Sequence, residues 1–516
     1  MSKKSVFIFL SLIILTAAFL RLWQIQSIPP GLYSDEAMNG SNALEANESG
    51  DYKMFYPENN GREGFFINIQ ALSVKIFGNE AWALRGVSAI FGILTVLGLY
   101  YLAKELTGNK RLALFSSFIL ATSFWHLLFS RIGFRAIMAP FFLTWAFALL
   151  LAAGRKNSWK LSAFAGIAFG LGFHSYIAYR AAPLLLIFPF IKLWKGGQKK
   201  IIAVFLLGAF IAAIPLGWYF LKNPSDFFGR TSQLSVFSSD APLKNLAINS
   251  VKTANMLFFY GDANWRHNLA GSPSLWWPVG ILFLIGFFWT IIRRKYLLLF
   301  LWLIVMALPV VISNEGIPHA LRSIILIPPV MLFAGIGLEK TAETVNGWIK
   351  KQREKYPQYE NQISRIRKEL ILFLFVFLAA IATTTYTKYF IRWGDNINTY
   401  YAFNGRASDI ANFLNKVPPQ TDKFVIVNVD GVKVKNIPMP AQTVMFLTGS
   451  FTEKGQAEKH FTYLLPSELE KIKCSETKNS CFIVSLESDA KLRDRVKQIQ
   501  PGVRISVFPG FEMLYK

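Results

Sequence analysis

ALRGVSAIFGILTVLGLYYLA, residues 83–103, decides what kind of protein this is. Its one charge, Arg85, stands near an end, and the rest is apolar over the roughly 20 residues a helix needs to cross a bilayer core. Working outward, runs of the same kind recur near 6–24, 112–130, 136–153, 159–176, 178–193, 201–221, 275–292, 296–313, 321–338 and 369–389. The composition agrees. A chain of 516 residues that is 53% hydrophobic, with mean hydropathy +0.34, is too apolar for an ordinary soluble protein. Roughly eleven spans are expected on length and hydropathy. The run 178–193 is short and begins beside Arg180, as a tilted or partly re-entrant segment does. REGFFINIQALSVKIFG, which carries Lys75, reads as an amphipathic helix on the outer interface.

The net charge of +24 does not indicate nucleic acid. No basic stripe or nucleic-acid motif accompanies it. The basic residues instead fill alternate short loops: Lys104, Lys110 and Arg111; Arg155, Lys156 and Lys160; Lys192, Lys195, Lys199 and Lys200; and Arg293, Arg294 and Lys295. The long insert EKTAETVNGWIKKQREKYPQYENQISRIRKEL belongs to the same side. Such loops stay cytoplasmic, so the N-terminus is expected inside and, with an odd number of spans, the tail outside. The first run follows Lys3 and Lys4 without an A-x-A cleavage site and reads as a retained anchor.

After Trp393 the pattern changes. RASDIANFLNKV and DAKLRDRVKQIQ have helical spacing, while KFVIVNVD, CFIVSLESD and VRISVFP read as strands. The expectation is an all-α polytopic membrane domain over 1–393 and a small α/β extracytoplasmic domain over 394–516. The two cysteines, Cys474 and Cys481, bracket the turn SETKNS. They are either a disulfide in an oxidising compartment or two separate thiols.

The outer side collects YSDEA, NNGREG, FSRIGFR, HSYIAYR, YGDANWRHN and NEGIPHALR. Ionisable groups are scarce inside the spans, apart from His126 and Arg85 close to outer ends. Mid-membrane charges would mark an ion or substrate path; their gathering on one face points to chemistry at the outer interface. Asp35 and Glu36 in PPGLYSDEAMNG have two readings. They complement the dipole of a helix capped by Ser34, or one is a general base for an acceptor hydroxyl. Arg131, Arg135, Arg180 and Arg322 either snorkel to headgroups or hold phosphate, whose charge a guanidinium fork matches. His174, His267 and His319 are candidate acid/base groups, or metal ligands together with Asp35, Glu63 or Asp262, although no spacing here is a zinc signature. The cofactor such a ligand set could hold is a divalent cation. YGDANWRHN, with Asp262 and Arg266, is a loop that closes over substrate or a rigid turn.

The early Asp-Glu, the interfacial helix, and FGNEAWALRGVSAIFGILTVLGLYYLAKELTG followed by SRIGFR resemble the polyprenyl-phosphate-sugar-dependent transferases. This is the dolichyl-phosphate-mannose-protein mannosyltransferase family with its bacterial relatives, the lipid A aminoarabinose transferases among them. The resemblance is firmest over residues 30–155. It implies a GT-C fold whose first outer loop carries the catalytic acid, matched by Asp35 with Glu36 beside it. It also implies inverting transfer of a sugar from a polyprenyl-phosphate donor to an acceptor outside a cell membrane. Many relatives open the interfacial helix with His-Pro-Pro or Lys-Pro-Pro. This chain has Arg62-Glu63-Gly64 there. Arg62 and Glu63, with Arg131, Arg135, His174, Tyr179, Arg180, Asp262, Arg266, His267, His319 and Arg322, are the candidate substrate-binding residues.

Three rival functions bear comparison. A transporter of polyprenyl-linked glycans calls for midplane charges and broken, mirrored helices, neither of which is evident. A polysaccharide polymerase or ligase shares outer arginines and polyprenyl substrates but not the early Asp-Glu. A scaffold gives no reason for so many ionisable groups on one face.

Overall fold

The apolar runs fold as helices because a bilayer core offers no water to backbone N–H and C=O groups, which must bond within the segment. The computed structural model describes residues 1–233, 236–238, 241–313, 316–474 and 481–516. Residues 314–315 of the NEGIPHALR motif and the turn 475–480 between the cysteines lie outside the described residues. Among the described residues, eight helical segments are long and apolar enough to cross a membrane: Lys3–Leu22, Ala81–Thr107, Arg135–Lys156, Ile177–Lys195, Lys199–Lys222, Arg294–Val311, Ile324–Lys355 and Pro357–Trp393.

The other three expected spans are shorter or broken. Run 112–130 becomes helices Lys110–Ala121 and Phe124–Phe129, because Ser123 leaves the helix and its hydroxyl accepts the His126 N–H. Runs 159–176 and 275–292 give helices Trp159–Gly172 and Trp277–Thr290, each of 14 residues. The run beside Arg180 opens as a 3₁₀ stretch, Ile177–Leu186, containing Pro183. REGFFINIQALSVKIFG supplies the helix Gly64–Phe77.

The chain divides into two compact units. The first holds Met1–Trp23, Ser88–Arg131 and Arg135–Trp393. Its central segment is Ile324–Lys355, whose apolar window is 89% buried. Glycine lets a neighbour approach closely: a Cβ on Gly286 would fall 1.9 Å from the Phe333 carbonyl, and one on Gly337 1.9 Å from that of Leu282. Small residues at such crossings are how apolar helices associate. The basic side of this unit is tied by Arg111, whose Nε donates to Glu339 at 2.6 Å.

The second unit holds Gln24–Val87, Ile132–Phe134 and Gly394–Lys516. One boundary between the units falls after Trp393, and the tail shares its unit with the segment that follows the first span. A two-stranded hairpin joins β1 (Phe55–Tyr56) to β2 (Arg62–Glu63). In the tail come β3 (Asp422–Ile426), β4 (Lys433–Val434), β5 (Ile437–Pro438), β6 (Phe461–Leu464), β7 (Cys481–Ser485), β8 (Arg504–Phe508) and β9 (Phe511–Tyr515). Five of them form a sheet in the order β6-β3-β7-β9-β8, with β3 parallel to both neighbours and β9 antiparallel to both of its own. Ala37 and Met38 of helix Ser34–Ser49 and Ile67 of Gly64–Phe77 share one buried core with Val425, Phe446 and Met513. Cys474 and Cys481 are joined as a disulfide.

Candidate active site

PPGLYSDEAMNG enters helix Ser34–Ser49 with Tyr33 as its N-cap. Ser34, the expected cap, is instead the first helical residue, and its hydroxyl accepts from Asn404 at 2.6 Å. The cap is closed from the other direction. Glu36 accepts the Tyr33 N–H at 3.4 Å, as an acid three residues into a helix does in a capping box.

The two adjacent acids have opposite surroundings. Glu36 has no exposed surface. Arg85 reaches it with a fork, Nε to Oε2 at 3.1 Å and Nη2 to Oε1 at 3.2 Å, and the Gly133 N–H donates to Oε2 at 2.6 Å. Arg85 is fully engaged as well, donating to the carbonyls of Pro29 at 2.9 Å and Gly31 at 2.6 Å. Gly133 eases that approach, since a Cβ there would come within 3.2 Å of Glu36 Oε2 and 3.1 Å of Gln70 Nε2, and one of those side chains would have to give. Successive helical residues point about 100° apart, so Asp35 leaves this knot and is partly exposed. Its Oδ1 accepts from Asn59 Nδ2 at 2.8 Å. Among the described residues no protein group hydrogen-bonds its Oδ2.

Asn59 comes from the turn of the β1–β2 hairpin, where Asn59, Asn60 and Gly61 all have positive φ. Asparagine and glycine tolerate that region at least cost. The hairpin is fastened to the helix by Arg62, which donates to Asn39 at 2.8 Å and to Asn42 at 2.6 Å. Asn39 in turn donates to the Gly133 carbonyl at 3.0 Å. Glu63 is buried and precedes helix Gly64–Phe77 as its N-cap residue.

A second constellation lies in the first unit. The loop after helix Pro242–Phe258 brings Asp262 and His267 to His319, with ligand atoms all within 4.8 Å of one another. Asp262 Oδ2 stands 3.3 Å from His267 Nδ1 and 3.8 Å from His319 Nδ1, and the two imidazoles stack at 4.7 Å. The His267 contact is close but not aligned, and that buried nitrogen finds no hydrogen-bond partner among the described residues. Burial alone would raise the Asp262 carboxyl; His267 and the N–H groups of Asn264 and Ala320 outweigh it and hold it below the ordinary value. Burial lowers His267, with Arg266 and Arg322 adding to it against the pull of Asp262. Burial, then the charges of His267 and Arg322, hold His319 at about 3. At neutral pH the group is therefore one carboxylate with two uncharged imidazoles. That donor set suits a divalent cation, although the positive charge of Arg266 and Arg322 works against one.

The other expected residues are occupied elsewhere. Arg131 is fully buried, donating to the Leu20 carbonyl at 3.0 Å and the Tyr389 hydroxyl at 3.1 Å, over the rings of Tyr389 and Phe390. Arg180 donates to the Phe227 carbonyl at 2.9 Å and stacks on that ring. His174 bonds the Ala212 carbonyl at 2.9 Å, and Tyr179 is buried against Gly172. Arg135 opens the 3₁₀ turn Arg135–Ile137, and Arg322 donates to the Ser313 hydroxyl. Sequence reasoning missed Arg85 as the partner of Glu36 and Asn59 as the partner of Asp35. The asparagine-glycine pair at 60–61 signals a turn, but nothing local says where that turn points.

Residues 65–219 match the family described as dolichyl-phosphate-mannose-protein mannosyltransferase. YkcB of Bacillus subtilis (strain 168), provisionally named a mannosyltransferase, is 29% identical over 228 residues. That match spans 42% of this chain and 31% of YkcB. ArnT from Cupriavidus metallidurans superimposes in its apo crystal structure with a TM-score of 0.58 at 13% identity, covering 99% of this chain and 97% of ArnT. The structure of ArnT bound to undecaprenyl phosphate gives 0.56 at 14% identity, covering 100% and 98%. The Archaeoglobus fulgidus oligosaccharyltransferase AglB, solved with an inhibitory peptide and a dolichol-phosphate, gives 0.50 at 16%, covering 94% and 69%. The fold is thus the GT-C type that the sequence resemblance implies, a helical membrane body followed by a small sheet domain.

Proposed function

From a GT-C glycosyltransferase fold as premise, we propose that this protein moves a sugar from a polyprenyl-phosphate donor to an acceptor hydroxyl outside a cell membrane, with inversion and with Asp35 as general base. One observation carries the reading. Of two adjacent acids, Glu36 is fully committed to Arg85 and Gly133, while Asp35 is partly exposed with one oxygen held by Asn59. A base needs that combination, a fixed carboxylate with an oxygen left for the incoming proton. Glu36 then positions the helix and has no catalytic part.

In the step proposed, the acceptor oxygen attacks the anomeric carbon as its proton passes to Asp35 Oδ2. The anomeric C–O bond to phosphate breaks, and the electron pair leaves on polyprenyl phosphate. The leaving phosphate calls for a cationic partner that takes up its developing charge. The lipid carriers held by ArnT and AglB support a polyprenyl-linked donor, and the acceptor is a hydroxyl of a protein, lipid or surface glycan. The basic inner loops support a cytoplasmic N-terminus and an extracytoplasmic tail from residue 394 onward, and the Cys474–Cys481 disulfide supports the same side for the tail. A divalent cation on Asp262, His267 and His319 is a secondary proposal. Loss of transfer in EDTA, restored by Mn²⁺ in the wild type but not in His319→Asn, supports it; full activity in EDTA removes it.

The deciding experiment is Asp35→Asn. The carboxamide keeps the shape but takes no proton, so transfer from a polyprenyl-phosphate donor should fall roughly 10²–10⁴-fold with donor binding intact. Transfer at the wild-type rate would remove Asp35 as the base.

A further inference from the structure

The loop that carries Asp262 ends at a cavity of about 280 Å³ within the first unit. Trp276, Met331 and Ile381 give it an apolar wall, while Thr384, Lys388 and Arg392 give it a polar one. Lys388 is drawn over this space by two contacts: its Nζ donates to the Pro273 carbonyl at 3.1 Å and lies 4.4 Å from the centre of the Phe124 ring. One hydrogen bond leaves two ammonium protons unassigned. Arg392 is exposed. Among the described residues no carboxylate forms an ion pair with either cation, and the charge acting on Lys388 is the like charge of Arg392.

Two neighbouring cations without an acid need an explanation at this place. They follow helix Glu360–Tyr386, whose other end adjoins the basic insert. On the orientation proposed above, they stand on the outer side, where lysine and arginine are disfavoured. Trp277 at the rim is 69% exposed, as tryptophans are at the level of lipid headgroups. Hydroxyls, two cations and an apolar wall match a phosphate that carries apolar chains.

We infer that this cavity holds the headgroup phosphate of an anionic phospholipid from the surrounding bilayer, on Lys388, Arg392 and Thr384. The glycosyl donor is a poorer match, because none of the described residues lining the cavity is a carboxylate. The bound lipid would brace residues 272–277, at the end of the loop that carries Asp262. The inference rests on the proposed orientation but not on Asp35, so Asp35→Asn should bind this lipid normally.

The test uses full-length protein, delipidated and then loaded with phosphatidylglycerol or phosphatidylcholine, with retained lipid counted by native mass spectrometry. Wild type should retain one phosphatidylglycerol preferentially. The double variant Lys388→Met with Arg392→Gln should lower its retention about tenfold or more, the scale of losing charge-assisted hydrogen bonds. Thr384→Phe fills the cavity without changing charge and should do the same, which guards against a misfolded double variant. Equal retention by wild type and both variants overturns the inference, as does equal retention of the two lipids. Displacement of phosphatidylglycerol by an equimolar amount of undecaprenyl phosphate also overturns it, and gives the cavity to the carrier.

Discussion

Glu36→Gln is the perturbation that separates the two acids most sharply. The glutamine is nearly isosteric but removes the charge facing Arg85, and both side chains of the pair have no exposed surface. Arg85 keeps its bonds to the Pro29 and Gly31 carbonyls. Its positive charge would nevertheless be buried without a counter-ion, and breaking one side of such a pair costs about 3–5 kcal/mol. At roughly 2–4 °C per kcal/mol for a unit of this size, the apparent melting temperature should fall by at least about 6 °C. The assay is intrinsic-fluorescence melting of purified protein, run beside Asp35→Asn, which should melt within about 2 °C of wild type because surface changes usually cost under 0.5 kcal/mol. The double variant Glu36→Gln with Arg85→Met should melt above Glu36→Gln alone, since it removes the stranded charge as well. Wild-type melting of Glu36→Gln, or additive losses in the double variant, would refute the reasoning.

Three further outcomes are expected. His319 is held at about 3, and His267 also below the ordinary histidine value of 6.5. The unfolded chain therefore binds protons first, and stability should fall as pH drops from about 6.5 toward 3; melting followed across that window should show a smaller loss in His319→Asn than in wild type. Alkaline phosphatase fused after Gly394 should be active, and unreduced protein should yield the Cys474–Cys481 peptide on mass spectrometry; an inactive fusion would reverse the orientation. Gly133→Ala should melt below wild type, because its Cβ would crowd Glu36 and Gln70.

Element type was largely legible because the signal is local. Hydropathy places the helices, and short apolar runs rich in β-branched residues place β3, β7 and β8. Where a run breaks inside the bilayer is not a matter of average hydropathy: Ser123 ends one helix and caps the next through a single hydroxyl. Neither the short edge strand β6 nor the last strand β9 has a reading in the sequence: FTYL spans only four residues, and FEMLY, as long as β3, carries Glu512 among its apolar residues. The candidate site was legible only as residue types, its carboxylates and histidines being groups that can do chemistry. Their partners were not, because Arg85 reads as a charge near the end of a span and Asn59 as a turn residue.

On the function proposed above, the adjacency of Asp35 and Glu36 follows from what each would do. A base at the mouth of a helix has to be held still yet leave an oxygen unbonded, and the fewer bonds its own carboxylate makes, the more the backbone beneath it has to be fixed by other groups. A second acid on the next residue points into the core by helical geometry alone. There Glu36 accepts from Arg85, Gly133 and Tyr33, three points from three separate stretches of chain. That fixes the first turn of the helix in position and rotation, and Asp35 inherits the fixed backbone while committing only one of its own oxygens. Asn59 then sets the carboxylate plane through one hydrogen bond. Exchanging the two acids, Asp35→Glu together with Glu36→Asp, should therefore do more damage than the shift of one methylene group suggests. The shorter side chain at position 36 would no longer reach the Arg85 fork, and the longer one at position 35 would overrun Asn59. If that double variant retained both wild-type melting and wild-type transfer, the division of labour argued here would be wrong.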